Sequence, residues 1–361
     1  MSKLSPLPLA DISALDSREI WAALTEAHRH LAELKGLCES LPNQGILLDT
    51  LSIQEAKDSS EIENIITTHD ELFAVQEDSA TPAAKEVRYY VSALRTGYEA
   101  VRGSGLIRLD TLLAVQAELE QNRAGLRKLP GTVLKNEATG AVIYEPPQDA
   151  AEVESLMGNL IDFIHADDGL DPLLRMAITH HQFESIHPFY DGNGRTGRIL
   201  NLLMLQRDGL LDLPVLYLSR YITTTKPDYY RLLQTVRDED RWAEWCLYLL
   251  RGVAVTSQSA IHLVKAFRDL MQKTKNDLRD RLPKLYSQDL LNNLFRYPYT
   301  KIEFIERELG VSRPTATKYL EQLTSAGLVR KQKMGRSNFY INEPLYALLS
   351  GVSLEQAGNN A

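Results

Sequence analysis

The chain of 361 residues has only two cysteines, Cys38 and Cys246, which lie far apart in apolar helical surroundings. Neither a disulfide framework nor a cysteine-rich metal site is supported, and both thiols are expected to be reduced packing residues. No apolar run reaches the roughly 18 residues that a membrane-spanning helix requires, and residues 1–10 lack the basic start and apolar core of a signal peptide. We therefore expect a cytoplasmic protein with no membrane partner.

Strand-like alternation of apolar and polar residues is also scarce, whereas helical spacing dominates from residue 20 to residue 270. The main exception is residues 132–143, where two β-like runs flank residues 136–140 in a hairpin-like pattern. Hydrophobic residues make up 44% and charged residues 24% of the chain, which is ordinary for a globular protein. We predict a mainly α fold with a small β-hairpin.

The net charge of −8 is unevenly distributed along the chain. Residues 283–342 carry ten Lys or Arg against five Asp or Glu, so this segment is basic and the remainder is acidic. A basic module joined to an acidic body suggests two separate tasks.

The most informative segment runs from His187 to Arg198 and reads HPFYDGNGRTGR. Its glycines match the G-x-G-x-x-G pattern of dinucleotide folds, and Asp212 follows 20 residues later. That fingerprint must follow a hydrophobic strand, but residues 173–186 have helical spacing. A P-loop is excluded because no G-x-x-x-x-G-K-[ST] occurs, and zinc is disfavoured because His180, His181 and His187 form no i, i+4 pair.

What remains is a glycine-rich loop that leads into a helix. Residues 199–205 are apolar nearly all round, which indicates a buried helix. Its first turn would present unpaired N–H groups and a positive dipole end to an anion. Gly192 and Gly194 permit close backbone approach, and Arg195 and Arg198 add positive charge, so the segment predicts a polyphosphate site.

Two further side chains of this segment suggest chemistry. Asp191 offers a carboxylate at the loop edge that suits Mg²⁺ held jointly with phosphate oxygens. His187 can titrate near neutral pH, so it is a candidate acceptor for the proton of an attacking hydroxyl.

At these residues the sequence resembles the Fic family, whose signature H-P-F-x-[D/E]-G-N-G-R-x-x-R is matched in full from His187 to Arg198. The resemblance covers residues 86–252 and also includes, outside the signature, Gly125, Leu126, Arg127, Pro130, residues 144–147, Pro214, Lys226, Tyr229 and Tyr230. It implies transfer of AMP from ATP to a Ser, Thr or Tyr hydroxyl of a target protein with release of pyrophosphate, and the chain itself is a candidate target.

The resemblance also implies roles for single residues. His187 would be the general base, Asp191 the Mg²⁺ ligand and Arg198 the group that holds the γ-phosphate. ATP would be bound by Gly192, Asn193, Gly194, Arg195, Thr196, Gly197 and Arg198. The hairpin of residues 132–143 would be the flap that aligns the target segment by strand-like pairing.

The segment Ser59-Ser60-Glu61-Ile62-Glu63-Asn64 has two interpretations. Ser60-x-x-Glu63 matches a capping box at a helix start. In Fic proteins the pattern [S/T]-x-x-x-E-[G/N], matched by Ser59, Glu63 and Asn64, marks an inhibitory helix. This implies that Glu63 pairs with Arg198 and takes the place of the γ-phosphate, and we favour this second interpretation.

The C-terminal module, residues 300–342, predicts a helix, a turn at Gly310, a second helix and two short strands around residues 335–336. This order resembles winged helix-turn-helix domains. Arg313, Thr315, Thr317 and Lys318 would face a major groove, which makes DNA a candidate partner.

The expected segments are an N-terminal helical region with the inhibitory helix (1–85), the Fic core (86–255), a helical connector (256–284), the winged helix-turn-helix domain (285–345) and a tail (346–361). The leading hypothesis is an autoinhibited protein adenylyltransferase. The alternatives are a nucleotide-sensing DNA-binding regulator and a hydrolase that uses Glu63 to remove AMP from a modified protein. The sequence leaves the target and the oligomeric state open.

Overall fold

A computed structural model describes residues 4–40, 43–73, 81–135, 139–334 and 337–351 of the chain. The chain divides into two compact units. The first comprises Met1–Lys35, Glu55–Ile66 and Glu86–Gln258, and the second comprises Gly36–Gln54, Thr67–Lys85 and Ser259–Ala361. The five segments expected from the sequence are consecutive stretches of chain rather than spatial units, and they remain a prediction.

The described part of the chain is mainly α, as predicted. Its helices are α1 (Arg18–Glu39), α2 (Gln44–Ile62), α3 (His69–Phe73), α4 (Pro82–Ser104), α5 (Leu109–Glu120), α6 (Ala150–Ile164), α7 (Pro172–Ile186), α8 (Asn193–Arg207), α9 (Leu218–Thr224), α10 (Lys226–Glu239), α11 (Trp242–Arg281), α12 (Gln288–Arg296), α13 (Ile302–Leu309), α14 (Arg313–Ser325) and α15 (Glu343–Ser350). Its strands are β1 (Leu134–Lys135), β2 (Val142–Tyr144), β3 (Tyr299–Thr300), β4 (Arg330–Met334) and β5 (Ser337–Ile341).

The centre of the first unit is the pair of helices α7 and α8. The N-cap of α7 is Asp171, whose side chain accepts a hydrogen bond from the N–H of Leu173 at 2.8 Å, and Pro172 is its first residue, a position where proline loses no helical hydrogen bond. Both helices are buried on nearly every side, although both also carry polar and charged side chains. α7 packs against α6 and α8, and α8 also packs against α5. His180 is fully buried and stacks on Trp245 with ring centroids 5.9 Å apart.

The segment that was open to two interpretations lies at the end of a helix. α2 ends at Ile62, and the carbonyl of Ser60 accepts the N–H groups of Glu63 and Ile65, each at 3.0 Å. A capping box satisfies N–H groups at the start of a helix. The capping-box interpretation is therefore wrong, because Ser60 and Glu63 lie at the opposite terminus.

The predicted hairpin is present as β1 and β2, which pair antiparallel with Leu134 opposite Tyr144. Residues 136–138, which belong to its predicted turn, lie outside the described residues. Val142 and Ile143 are among the exposed large hydrophobic side chains.

The second unit contains the elements predicted near the C-terminus. α13 and α14 are separated by a turn in which Gly310 has φ 64°, and β4 pairs with β5 with Lys331 opposite Tyr340. The predicted turn residues 335 and 336, and the end of the tail from 352 to 361, lie outside the described residues. β3, which sequence analysis missed, is only two residues long and pairs with β5 to give the order β3-β5-β4.

Both cysteine side chains are buried, as predicted. Within the described ranges, none of the helices combines the length and apolar character needed to cross a membrane.

Candidate active site

His187 occupies the C-cap position of α7, where its backbone is left-handed with φ 49°. Burial, together with the positive charges of Arg127 and Arg237, lowers the pKa of His187 to about 4. Its Nδ1 atom is buried and has no hydrogen-bond partner among the described residues. The imidazole is therefore neutral at pH 7 and able to accept a proton.

The loop after His187 is closed by the side chain of Asn193. Its Oδ1 accepts from the N–H of Phe189 at 2.8 Å, and its Nδ2 donates to the Phe189 carbonyl at 2.9 Å. Gly192 is the N-cap of α8 with φ 78°, a conformation that a side chain would strain. These contacts leave the first-turn N–H groups of α8 as an anion site.

Arg195 projects from the first turn of α8 and is already paired. Its side chain is 6% exposed, with Nη1 2.6 Å from Oε2 of Glu86 and Nη2 2.7 Å from Oε1 of Glu120. Burial raises the pKa of Glu120 and the charge of Arg195 opposes that rise. The two carboxylates hold this arginine in place, and Thr196 and Gly197 follow it as buried residues of the helix.

Arg198 is almost completely enclosed, with its side chain 2% exposed. Its Nη2 donates to Oε1 of Glu63 at 2.7 Å and to the Ser59 carbonyl at 2.9 Å, and its Nε donates to Oγ of Ser59 at 2.7 Å. Burial alone would raise the pKa of Glu63 and lower that of Arg198, but their attraction outweighs burial and shifts both pKa values the other way. Both groups are therefore charged at pH 7.

Glu63 lies directly over the first turn of α8. A Cβ atom at Gly194 would collide with its Oε1 and would lie 2.9 Å from Nη1 of Arg198. The carboxylate thus takes the space beside the helix N-terminus that would otherwise be open to an anion.

The end of α2 fixes the direction of that carboxylate. Asn64 is left-handed with φ 61°, and its N–H donates to Glu61 while the N–H of Ile65 donates to Ser60, which is the Schellman arrangement of a helix C-terminus. Lys226 donates to the Ile62 carbonyl at 2.7 Å. The residue after Glu63 is therefore one of the few types, Gly or Asn, that tolerate this conformation.

Asp191 is exposed at the edge of the loop, where its Oδ1 accepts from the N–H of Gly192 at 2.8 Å. Across the described ranges, no three His, Cys, Asp or Glu side chains converge into a metal-binding group. A single carboxylate beside an anion site is a donor set that Mg²⁺ accepts when phosphates and water supply the other oxygens. The residues present fit a magnesium ion that arrives with a nucleotide.

Comparison with known proteins agrees with this geometry. Residues 21–99 match the family model described as Fic/DOC family N-terminal, residues 106–205 match Fic/DOC family, and residues 270–345 match the C-terminal domain of SoFic-like protein adenylyltransferases. The chain belongs to the Fic family.

Curated Fic relatives share a short segment with the chain. A probable protein adenylyltransferase of Aquifex aeolicus is 34% identical over 87 residues, which are 24% of this chain and 27% of that protein. Protein adenylyltransferase fic-1 of Caenorhabditis elegans is 34% identical over 91 residues, 24% of this chain and 16% of that protein. The chain thus spans about a quarter or less of the length of these two relatives.

Solved Fic structures share the fold over longer stretches. A Fic family protein from Desulfovibrio desulfuricans has a TM-score of 0.58 and 21% identity, and covers 93% of this chain and 97% of its own. Fic-1 from C. elegans has a TM-score of 0.52 and 20% identity, and covers 70% of this chain and 74% of its own.

The Fic site also contains acidic residues that sequence analysis missed. Glu184 lies one turn before His187, its Oε1 is buried without a partner in the described chain, and burial raises its pKa to about 7. Its signal was a carboxylate three residues before the histidine on the same helix. Glu86 and Glu120 had no such signal, because they lie 109 and 75 positions from Arg195.

Proposed function

We propose that the chain is an autoinhibited protein adenylyltransferase that moves AMP from ATP to a Ser, Thr or Tyr hydroxyl of a target protein, itself included. The transfer is supported by a neutral histidine that lies one loop before the N-terminus of α8, and by the two buried arginines of that helix. The Fic family models and the names of the curated relatives support the same reaction. The predicted cytoplasmic location stays a prediction.

In the proposed reaction the target hydroxyl oxygen forms a bond to the α-phosphorus of ATP, and the bond from that phosphorus to the pyrophosphate oxygen breaks. His187 accepts the hydroxyl proton, and the pyrophosphate leaves with its negative charge. Mg²⁺, held by Asp191 and phosphate oxygens, would neutralise part of the developing charge. The protein's contribution is mainly positioning and electrostatic stabilisation.

The anion site supplies that stabilisation. First-turn N–H groups of α8 and the charges of Arg195 and Arg198 would hold the polyphosphate, with Gly192, Asn193 and Gly194 allowing close approach. The edge of β2 would align the target segment by main-chain pairing.

The observation that carries the inhibition is the Glu63 carboxylate, which lies over Gly194 and pairs with Arg198. In this state Arg198 is not free to hold a γ-phosphate, so ATP would bind in an unproductive pose. Ser59 and Asn64 support this state, Ser59 as an acceptor for Arg198 and Asn64 as the residue that ends the helix.

The test is incubation of the Glu63→Gly protein with ATP labelled on the α- or the γ-phosphate, with and without a cell lysate. Label from the α-phosphate alone should become covalently attached to protein. His187→Ala in the same background should fold normally and reduce transfer by roughly 10²- to 10⁴-fold, the usual contribution of a positioned base. Near-unchanged transfer by a folded His187→Ala protein would remove the base assignment.

A de-AMPylating hydrolase is the second candidate, because the ionised Glu63 carboxylate is also suited to activate water. Wild-type protein that removes AMP from a modified target, with loss of that activity in Glu63→Gly, would favour it. If ATP changes only the retention of DNA, and no label becomes covalently attached to protein, the nucleotide-sensing regulator would be favoured.

A further inference from the structure

Arg127 is a buried cation that has no ion-pair partner among the described residues, although its side chain is only 2% exposed. Its Nε donates to the His187 carbonyl at 2.8 Å and its Nη2 to the Ile186 carbonyl at 3.2 Å. Nη2 also donates to the carbonyl of Pro147, and the backbone N–H donates to Pro188 at 2.9 Å. A single side chain thus joins the end of α7 to the segment that follows the hairpin.

These contacts fall where the backbone most needs support. His187 is a non-glycine residue in the left-handed region and precedes a proline, a conformation that surrounding contacts must maintain. The carbonyls of Ile186 and His187 are at the C-terminal end of α7, where a positive charge interacts favourably with the helix dipole. The end of α7 therefore supplies the negative potential that Arg127 otherwise lacks.

We propose that Arg127 is the positioning residue of this site, and that its guanidinium holds the His187 backbone and the base of the hairpin in one fixed arrangement. The inference rests on the proposed transfer, because it concerns the base and the flap of that reaction. Lysine is a poor substitute, since one ammonium cannot reproduce a planar fork directed at three carbonyls.

The charge of Arg127 has a second, measurable effect. The charged groups that face His187 are Arg127, Arg237 of α10 and Glu63 at the end of α2, and burial together with the two arginines lowers the pKa of His187. Loss of the Arg127 charge should therefore make the imidazole easier to protonate.

The matched control is Arg175, which is 3% exposed and lies on the same helix α7. Its Nη1 donates to the Phe163 carbonyl near the end of α6 at 2.7 Å, and its other partner is Asp168. It is a buried carbonyl-binding arginine that contacts neither His187 nor the hairpin.

The experiment compares Arg127→Gln, Arg127→Lys and Arg175→Gln, each in the Glu63→Gly background. Transfer per folded molecule should fall roughly 10- to 100-fold in both Arg127 variants, as expected for a misplaced catalytic group, and stay within about twofold for Arg175→Gln. The His187 ring, assigned in NMR spectra by its absence in His187→Ala, should titrate about 0.5 to 1 pH unit higher in Arg127→Gln than in its parent. It should move less in Arg127→Lys, which keeps the charge.

The proposal is overturned if Arg127→Gln loses thermal stability as Arg175→Gln does but leaves transfer and the His187 titration unchanged. It is also overturned if His187 of the unmodified chain titrates near the ordinary value of about 6.5, a measurement that needs no variant to fold. Absence of transfer in Glu63→Gly itself would refute the proposed function, and the NMR titration would still decide the role of Arg127.

Discussion

The helices α8 and α14 both carry an arginine near their N-terminal end, yet the two arginines lie in opposite environments. At α8, Arg198 is 2% exposed and 2.7 Å from Glu63. At α14, Arg313 is 59% exposed and 3.0 Å from Glu303, which is itself 57% exposed. The two ion pairs have similar lengths but very different access to water.

This difference decides what each pair can do. An exposed ion pair contributes about 0 to 1 kcal/mol because water and salt screen it. A pair whose arginine is enclosed cannot exchange its partner for water at low cost, so another anion must replace that partner. The α8 pair is suited to hold the site in one state, and the α14 pair is suited only to adjust surface charge.

The largest difference in adenylyl transfer is expected between the Glu63→Gly and Glu303→Gly variants. Loss of Glu63 frees Arg198 for the γ-phosphate, and a coupling of roughly 1 to 3 kcal/mol corresponds to an increase of about 5- to 150-fold in adenylyl transfer, self-modification included. Glu303→Gly removes a carboxylate from a pair of similar length and should leave transfer unchanged. The measurement is ATP turnover in both variants and the wild type.

The double variant Glu63→Gly with Arg198→Ala tests the route of that gain. It should lose the increase, because the freed arginine is then absent. A folded Glu63→Gly protein with wild-type turnover would contradict the inhibitory role, and the capping-box explanation is no longer available to account for the motif.

The glycines before the two helices give a second contrast, in stability. Gly310 has φ 64° with nothing within 4 Å of an added Cβ, so Gly310→Ala should cost about 1 kcal/mol from backbone strain alone. Gly192 has φ 78°, and an added Cβ would also collide with Oε1 of Glu120. Gly192→Ala should therefore cost about 2 to 3 kcal/mol, because Glu120 must leave Arg195 as well. If denaturant unfolding shows that both variants lose the same free energy of unfolding, Glu120 moves aside without cost.

The acids of the two regions should also differ in pH dependence. Burial raises the pKa of Glu184 to about 7 against the opposing charge of Arg198. The folded chain then keeps a proton that the unfolded chain releases near pH 4.5, so this group lowers stability as pH rises from about 4.5 to 7. Glu184→Gln should be more stable than the wild type by about 1 to 2 kcal/mol at pH 8, with the difference vanishing near pH 4.5.

Glu303 provides the opposite sign. Burial acts to raise its pKa, but a backbone hydrogen bond and Arg313 outweigh burial and lower it. Glu303→Gln should thus be slightly less stable than the wild type at pH 8. Unfolding curves of the three proteins at pH 5 and pH 8 measure both differences, and a Glu184→Gln effect that is independent of pH would refute the buried-proton explanation.

Much of the fold was predictable because local patterns determine it. The helical period located α7 and α8, and Gly310 located the turn before α14, since both depend on residues close in sequence. The Glu63–Arg198 contact was expected only through the resemblance to Fic proteins. It joins residues 135 positions apart, which no periodicity can relate.

The failures have the same cause. Ser60-x-x-Glu63 fits the start of a helix as well as its end, and only Asn64 in the left-handed region shows which terminus is present. Arg127 was noted as part of the resemblance, but its four acceptors lie in segments that only the folded chain brings together. Local sequence therefore predicted the elements of the site but not the contacts that hold them.

The smallest effect is expected at α14, if the second unit binds DNA. Arg313→Ala with Lys318→Ala should reduce the slope of log affinity against log salt by at most about two, because each lost phosphate contact removes about one released counterion. Arg313 should account for less of this reduction in slope than Lys318, because Arg313 must first leave Glu303 at 3.0 Å and Glu306 at 3.4 Å. Glu306→Gln should for the same reason strengthen retention modestly.

Fluorescence anisotropy with labelled duplex over a salt series measures all three proteins, and adenylyl transfer should persist because the proposed transfer residues belong to the other unit. If the unmodified chain shows no salt-sensitive retention, α14 belongs to a protein-contact surface, and its exposed pairs then serve solubility and specificity rather than nucleic-acid binding.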